Sequence, residues 1–260
     1  MTNHELLYLF HKELRQGAYT QGYRREETDH VVRHVSQFDE KGFIIASTLN
    51  DDNARDVVRQ ELSYFQELGQ EFEWKVYSYD QPINLLEILR EEGFIIGGTE
   101  ALMVMKLDED HPLLHDIPDI KVKEITDYQG IKDIISLEDF IWKETHTELG
   151  ERLWRDKQNY PESLYLYGVY EADKLVSGAW MYLENGSSFA SLWGGSTLPE
   201  YRGKGYYHAL LSARAKKAYE QGYPCLTVDA SPMSRKILEK QGFLCLAYTY
   251  ECNSPEMESR

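Results

Sequence analysis

The sequence predicts a mixed α/β fold made of two tandem lobes, each a mostly antiparallel sheet flanked by helices. Three observations predict it. In the second half, three strand-like runs joined by turns are followed by helix, strand, helix and strand. The chain also resembles itself: a shift of 149 residues without gaps makes eight of 33 positions identical between 62–94 and 211–243. Finally, an acidic stretch with two prolines, Asp108–Pro118, separates the halves.

The N-terminal MTNHELLYLFHKELRQG alternates apolar and charged residues at helical spacing and lacks a basic leader, so it reads as a helix and not a signal peptide. The window Leu62–Phe94 follows as helix, strand ending in Asp80, helix and Gly93-Phe94. Asp108–Pro118 has no periodicity and reads as a linker, giving domains 1–118 and 119–260. Beyond it Ile120–Ile125 alternates as a strand, and Tyr128–Lys143 places Ile131, Ile134, Ile135, Leu137 and Ile141 at helical spacing. Leu164–Val169, Leu175–Leu183 and Phe189–Leu192 are strands, joined by turns at Ala172-Asp173-Lys174 and Asn185-Gly186. A helix over Tyr206–Gln221, a strand at Cys225–Val228, a helix at Met233–Lys240 and strands from Phe243 to about Cys252 complete the chain.

Composition narrows the function. Apolar residues make up 42% and charged residues 28%, a globular balance. The net charge of −16 argues against a duplex nucleic acid or an anionic membrane as partner. Apolar runs such as Phe43–Ala46 fall far short of the ~20 residues a membrane span needs. Cys225, Cys245 and Cys252 show no C-x-x-C spacing, so a reduced, cytoplasmic chain is expected. Residues 1–118 carry net −12 and 119–260 net −4, while Arg202–Lys240 has eight basic and three acidic residues. That local positive field is either a solvated helix face or the surroundings of a polyphosphate ligand.

The segment with most chemical content is Leu198-Pro-Glu-Tyr-Arg-Gly-Lys-Gly-Tyr-Tyr-His-Ala-Leu-Leu211. Gly203 and Gly205 permit positive φ and close backbone approach to a ligand. The helix that follows offers unpaired N–H groups and a positive dipole end, suited to a pyrophosphate, with Arg202 and Lys204 at its rim. It is not a P-loop, because Lys204 is followed by Gly205, nor a dinucleotide fingerprint, because His208 stands where the third glycine belongs. The aligned segment Asn53-Ala-Arg-Asp56 of the first half has no glycine, and its window 53–91 is net −4. The first half is therefore expected not to bind what the second binds.

Pro199-Glu-Tyr-Arg-Gly-Lys-Gly with Ala209-Leu210-Leu211 resembles motif A of the GNAT superfamily of acyl-CoA-dependent N-acyltransferases. Ser231-Pro-Met-Ser-Arg-Lys-Ile-Leu-Glu-Lys-Gln-Gly-Phe243 resembles its last helix and Gly-Phe ending. The resemblance covers roughly 120–252, with Leu62–Phe94 a faded copy of its C-terminal part. It implies two tandem GNAT-like lobes, the N-terminal one degenerate. It also implies acetyl-CoA as cosubstrate, no metal, and an amine acceptor that attacks the thioester directly. Gly195, Ser196 and Thr197 would pair with the pantetheine arm. Arg202, Gly203, Lys204, Gly205, Tyr206, Tyr207 and His208 would surround the pyrophosphate. Ser231 stands at a frequent asparagine position, and Lys236 could neutralise adenosine phosphates.

Two departures stand out: Tyr207 replaces the usual small residue, and Leu238 replaces a frequent general-acid tyrosine. Candidate bases are Glu184, Glu144, His146 and Glu148, each more readily read as an ordinary surface residue; Tyr207 and Tyr248 are candidate acids. Asp229 is expected to be structural, for instance capping the last helix. His30 and His34, at i,i+4, could share a helix face, and His111 and His115 have the same spacing beside Pro112; neither pair has a clear third ligand. Trp142, Trp154, Trp180 and Trp193 are expected mainly in the core. The acidic chain favours a cationic acceptor. The competing class is a non-catalytic acyl-CoA-binding regulatory module; aminoacyl transfer from tRNA would need a basic groove outside 202–240, and the sequence shows none.

Overall fold

The computed structural model describes residues 1–256 apart from Asp39 and Ile117. In chain order its first elements are α1 (Asn3–Phe10), β1 (Tyr23–Glu27), β2 (Val31–Ser36), β3 (Gly42–Ser47), α2 (Ala54–Leu68), β4 (Phe72–Tyr77), α3 (Leu85–Glu91) and β5 (Ile95–Lys106). They continue with α4 (Pro112–His115), β6 (Lys123–Ile125), α5 (Tyr128–Trp142), α6 (Thr147–Asn159), β7 (Leu164–Glu171), β8 (Lys174–Leu183) and β9 (Phe189–Thr197). Last come α7 (Tyr206–Glu220), β10 (Cys225–Ala230), α8 (Pro232–Lys240) and β11 (Leu244–Asn253).

Packing gives two compact units, Met1–Val104 with Asp229–Arg260, and Met105–Val228. The partition differs from the sequential boundary at 118/119, because the last helix and strand pack with the first unit. The expected linker contains one helical turn, α4; Ile117 lies outside the described residues.

In the first unit, α1 opens with a capping box, Thr2 accepting from the Glu5 N–H and Glu5 accepting from the Thr2 N–H at 2.7 Å. It runs on into a π-helical stretch, His11–Gln16. The sheet order is β1-β2-β3-β4-β11-β5. All neighbours are antiparallel except β3 and β4, which are parallel. The final strand of the chain thus lies between β4 and β5, an insertion no local pattern could announce. Beneath it Phe65 and Phe72 stack at 4.2 Å among buried Trp74, Val58 and Leu89.

In the second unit the order is β10-β9-β8-β7-β6, antiparallel except for β9 with β10. The hairpin turn at Ala172 and Asp173 takes positive φ at both residues, matching the twist of β7 and β8. Asp127 caps α5 by accepting the Gly130 N–H at 2.7 Å. The apolar side of α5 then lies on the sheet, where a Cβ on Gly178 would come 3.4 Å from Leu137. Helix α6, which the sequence reading passed over, is strongly polar on its outer side and buries Leu153.

The order of elements repeats between the units, but the 149-residue register holds only at the end. Phe94 and Phe243 keep it, whereas α2 and α7 are offset by 152 residues (54 to 206, 68 to 220). Asp80 and Asp229 are therefore not equivalent: Asp80 lies beyond β4 and Asp229 within β10. Among the described residues no helix is long and apolar enough to cross a membrane.

Candidate active site

The parallel strands β9 and β10 pair only over Phe189–Ser191 with Cys225–Thr227. Strand β9 continues to Thr197, so from Leu192 onward its edge toward β10 carries no ladder with it. On its other side β9 pairs with β8 through a bulge: Gly194 faces Ala179 and Ser196 faces Gly178, leaving Gly195 as the extra residue. Gly194 and Gly195 have φ of +66° and +93°. A Cβ on Gly194 would meet Trp180 at 2.4 Å, and one on Gly195 would meet Tyr207 at 2.9 Å. The bulge thus presents backbone on one open edge, a surface that accepts an extended ligand as a strand accepts a neighbour.

After Thr197 the chain makes a single 3₁₀ turn, Pro199–Tyr201, then the glycine loop. Gly203 and Gly205 have φ of +77° and +84°, and Gly205 is the N-cap of α7 without a side-chain cap. The first α7 bond is Ala209 N–H to Gly205 C=O at 3.0 Å. The N–H groups of Tyr206, Tyr207 and His208 are the helix's unpaired donors. A Cβ on Gly203 would meet nothing within 4 Å, so the loop is open. These are the donors and the dipole end that the motif implied.

The side chains divide into those free to face a ligand and those already engaged. Arg202 and Lys204 are exposed; Arg202 donates to the Thr197 carbonyl at 3.2 Å, and Lys204 lies 4.5 Å over the Tyr201 ring. Tyr206 is turned inward and donates to Glu171, so only its backbone serves the loop. Tyr207 is half-buried, which pushes its phenol pKa up. His208 Nδ1 is buried without a hydrogen-bond partner among the described residues. Thr197 shares a 2.7 Å hydroxyl contact with Ser177. Ser231, in the other compact unit, caps α8 by accepting the Ser234 N–H at 3.3 Å. Arg214, counted in the basic stretch, is no part of a surface field: it is 2% exposed and donates to the Trp180 and Trp193 carbonyls at 3.3 and 3.2 Å. Burial lowers its pKa to about 10.

One face of this sheet collects carboxyl groups. Ser191 is opposite Tyr182, whose hydroxyl reaches Asp156 of α6 at 3.0 Å, and Ser196 is opposite Gly178, which lies under α5. Ser191, Trp193 and Ser196 therefore share the face covered by α5 and α6. Ser191 donates to the Glu184 carboxylate and accepts the Trp193 indole N–H at 2.9 Å. Burial of the Glu184 carboxyl raises its pKa to about 7, against the opposing Ser191 bond. Near Ser196, Glu138 is 4% exposed; its Oε2 accepts the Trp142 indole N–H at 2.9 Å. Burial raises its pKa, with Ser196 and Trp142 pulling the other way. Sequence reasoning missed Glu138, which looks like one more polar residue at the border of an amphipathic helix. Trp142 and Trp193, expected in the core, are 58% and 52% exposed.

The other candidates are engaged elsewhere. Glu144 and Glu148 are exposed around the start of α6, and His146 Nδ1 contacts Asp139 at 2.9 Å. Asp229 does not cap α8; it pairs with Lys75 at 3.0 Å, a contact within the first unit. Tyr248 accepts from Arg235 at 2.9 Å. His30 lies in the bend just before β2 and His34 within β2, so neither is on a helix. His34 is fully buried, stacks on Phe43 at 4.5 Å and meets the Ala18 carbonyl at 3.2 Å. His111 caps α4 and His115 contacts the Glu109 carbonyl.

The first unit has the same parting of parallel strands, β3 and β4 pairing only over Gly42–Ile44 with Phe72–Trp74. There the edge of β3 is taken by Arg15, whose Nε donates to the Ile45 carbonyl at 2.8 Å and whose fork holds Asp80 at 2.7 and 2.8 Å.

Residues 131–243 match the model of the acetyltransferase (GNAT) family. Among solved structures the chain is similar to a GCN5-related N-acetyltransferase from Kribbella flavida (13% identity, 91% of each chain covered, TM-score 0.66). It is similar too to a functionally unknown conserved protein from Staphylococcus epidermidis (13% identity, 93% of this chain and 97% of that one, TM-score 0.67). A tandem GNAT protein from the clavulanic acid biosynthesis pathway aligns over 94% of this chain and 86% of its own (12% identity, TM-score 0.61), so the two-lobed arrangement has a counterpart. At these identities the likeness is one of fold. No curated protein matches the chain.

Proposed function

We propose that the protein transfers the acetyl group of acetyl-CoA to an amine, with 119–260 as the acetyltransferase domain and 1–118 a degenerate copy. The observation that carries the reading is the open edge of β9 running into the uncapped N-terminus of α7. Gly195, Ser196 and Thr197 would hold the pantetheine arm through the backbone. The N–H groups from Gly203 to His208 would hold the pyrophosphate, with Arg202 and Lys204 beside it. The fit is structural: a Cβ on Gly195 would press Tyr207, and the space before Gly203 is free. When bound, acetyl-CoA supplies the acyl group as an activated thioester.

Glu184 is the general base in this reading. It sits where the β9–β10 gap closes, at Ser191, on the face that α5 and α6 cover. A carboxylate whose pKa is about 7 is half ionised at neutral pH and can take a proton from an ammonium acceptor. Leu238, 1% exposed, cannot return a proton to the leaving thiolate, so water or another group does so. The chain works in the cytoplasm, with neither nucleic acid nor membrane as partner.

Release of free coenzyme A thiol across a panel of primary amines tests the proposal. Amine-dependent release is expected. Acetyl-CoA binding without release for any amine would favour the regulatory acyl-CoA-binding module instead.

A further inference from the structure

Resting on that reading, we infer that Arg214 is a positioning residue for the transfer step: it turns the Trp193–Gly194 peptide so that the Gly194 N–H faces the thioester carbonyl. The starting point is a buried cation with no counter-ion. Arg214 is 2% exposed, and the groups that act on its charge are the Tyr207 and Tyr167 phenols, with no carboxylate paired to it among the described residues. Its partners are backbone carbonyls. Nε donates to Leu210 of its own helix at 3.2 Å, and Nη1 donates to both Trp180 at 3.3 Å and Trp193 at 3.2 Å. A guanidinium buried on neutral acceptors carries a desolvation cost that no ion pair offsets.

What the cation holds follows from the register. Trp180 and Trp193 are opposite each other on β8 and β9, beside the bulge. One nitrogen reaches both carbonyls, so it lies on the β8 side of β9 and the Trp193 carbonyl leans toward β8. The peptide bond to Gly194 is trans, so the Gly194 N–H points the opposite way, to the edge of β9 that has left β10. With Gly195, Ser196 and Thr197 on the pantetheine arm and the pyrophosphate at α7, the arm runs along β9 toward Gly194. The thioester at its far end comes next. The Gly194 N–H then donates to the thioester oxygen, most strongly when amine attack forms the C–N bond and makes that oxygen an oxyanion. As the adduct collapses the C–S bond breaks and the thiolate leaves, while the proton lost by the amine is on Glu184. Arg214 touches none of the reacting atoms; it acts by fixing the direction of one N–H.

The test is isotope-edited infrared spectroscopy of acetyl-CoA carrying carbon-13 at the thioester carbonyl, free and bound to wild type, Arg214→Met and Arg214→Lys. A hydrogen bond to that oxygen lowers the carbonyl stretching frequency; a merely structural brace would leave it unchanged. Arg214→Lys keeps the cation but not the planar fork, so it serves if Arg214→Met fails to fold. The account expects a downward shift on binding to wild type and loss of at least half of it in either folded variant. Acetyl-CoA affinity, read by calorimetry, should weaken by no more than about tenfold, the net worth of one hydrogen bond. With any amine that turns over, kcat of Arg214→Met should fall about 10²–10³-fold with little change in KM for acetyl-CoA. A bound carbonyl that keeps its free frequency in wild type overturns the inference without any variant and leaves the acetyl-transfer reading standing. A full shift that survives in a folded variant overturns it too, as does a variant that raises KM and keeps kcat. Failure of folded wild type to bind acetyl-CoA overturns the acetyl-transfer reading along with it.

Discussion

The Ser191 hydroxyl donates its hydrogen bond to the Glu184 carboxylate at the last residue where β9 still pairs with β10. A carboxyl with a pKa of about 7 is thereby tied to the inner end of an open strand edge whose outer end is a helix N-terminus.

If Glu184 is the base, Glu184→Gln lowers kcat by about 10²–10⁴-fold while acetyl-CoA affinity stays unchanged. The wild-type rate should rise as pH passes upward through about 7, because the ionised form does the work. The variant should lack that limb. A pH–rate profile from 5.5 to 9 reads both.

The same pKa makes a stability prediction of fixed sign. Glu184 holds its proton more tightly folded than unfolded, so its contribution is fully present below the ordinary glutamate range and is lost as pH rises through about 7. Urea midpoints at pH 5 and pH 8 should therefore differ less in Glu184→Gln than in wild type.

His34 gives the opposite sign. Burial pushes its pKa down to about 4, so its stability contribution is present above about 6.5 and is lost as pH falls toward 4. Replacing it with phenylalanine, which can keep the stack on Phe43, should flatten the fall of the urea midpoint over that window.

Arg15 is fully buried and holds Asp80, itself 4% exposed in its side chain. Arg15→Met leaves that carboxylate buried without its cationic partner, held only by the Tyr77 N–H at 2.9 Å, at a cost of about 3–5 kcal/mol. The double change Arg15→Met with Asp80→Leu should recover most of the loss. Chemical denaturation of both variants measures it.

Gly195→Ala should cost about 1–3 kcal/mol, because alanine tolerates φ of +93° poorly and its Cβ would press Tyr207 at 2.9 Å. Thermal unfolding reads the stability, and acetyl-CoA titration reads the accompanying loss of a shaped strand edge.

Much of this site could be read in the residues. Gly203, Gly205 and the helix after them declare themselves, because positive φ and an uncapped helix start leave a local signature. The strands of the second half were placed from turn chemistry at Ala172-Asp173 and Asn185-Gly186, short by a few residues at their ends. What local pattern could not carry is long-range. Arg15 finds Asp80 across 65 residues of chain, and β11 inserts between β4 and β5, far from both in sequence. Glu138 has no motif; its meaning comes from Trp142 and Ser196 closing over it. The His30 and His34 spacing misled because it assumed a helix where the β-branched Val31-Val32 begins a strand.

The most direct test of the central claim is calorimetric titration of acetyl-CoA into wild type and into the variant Gly203→Asp/Gly205→Asp. The account predicts binding to wild type and none to the folded variant, since two carboxylates would face the pyrophosphate at the start of α7. Failure of folded wild type to bind, or binding that persists in the variant, would contradict the placing of the cofactor on this loop.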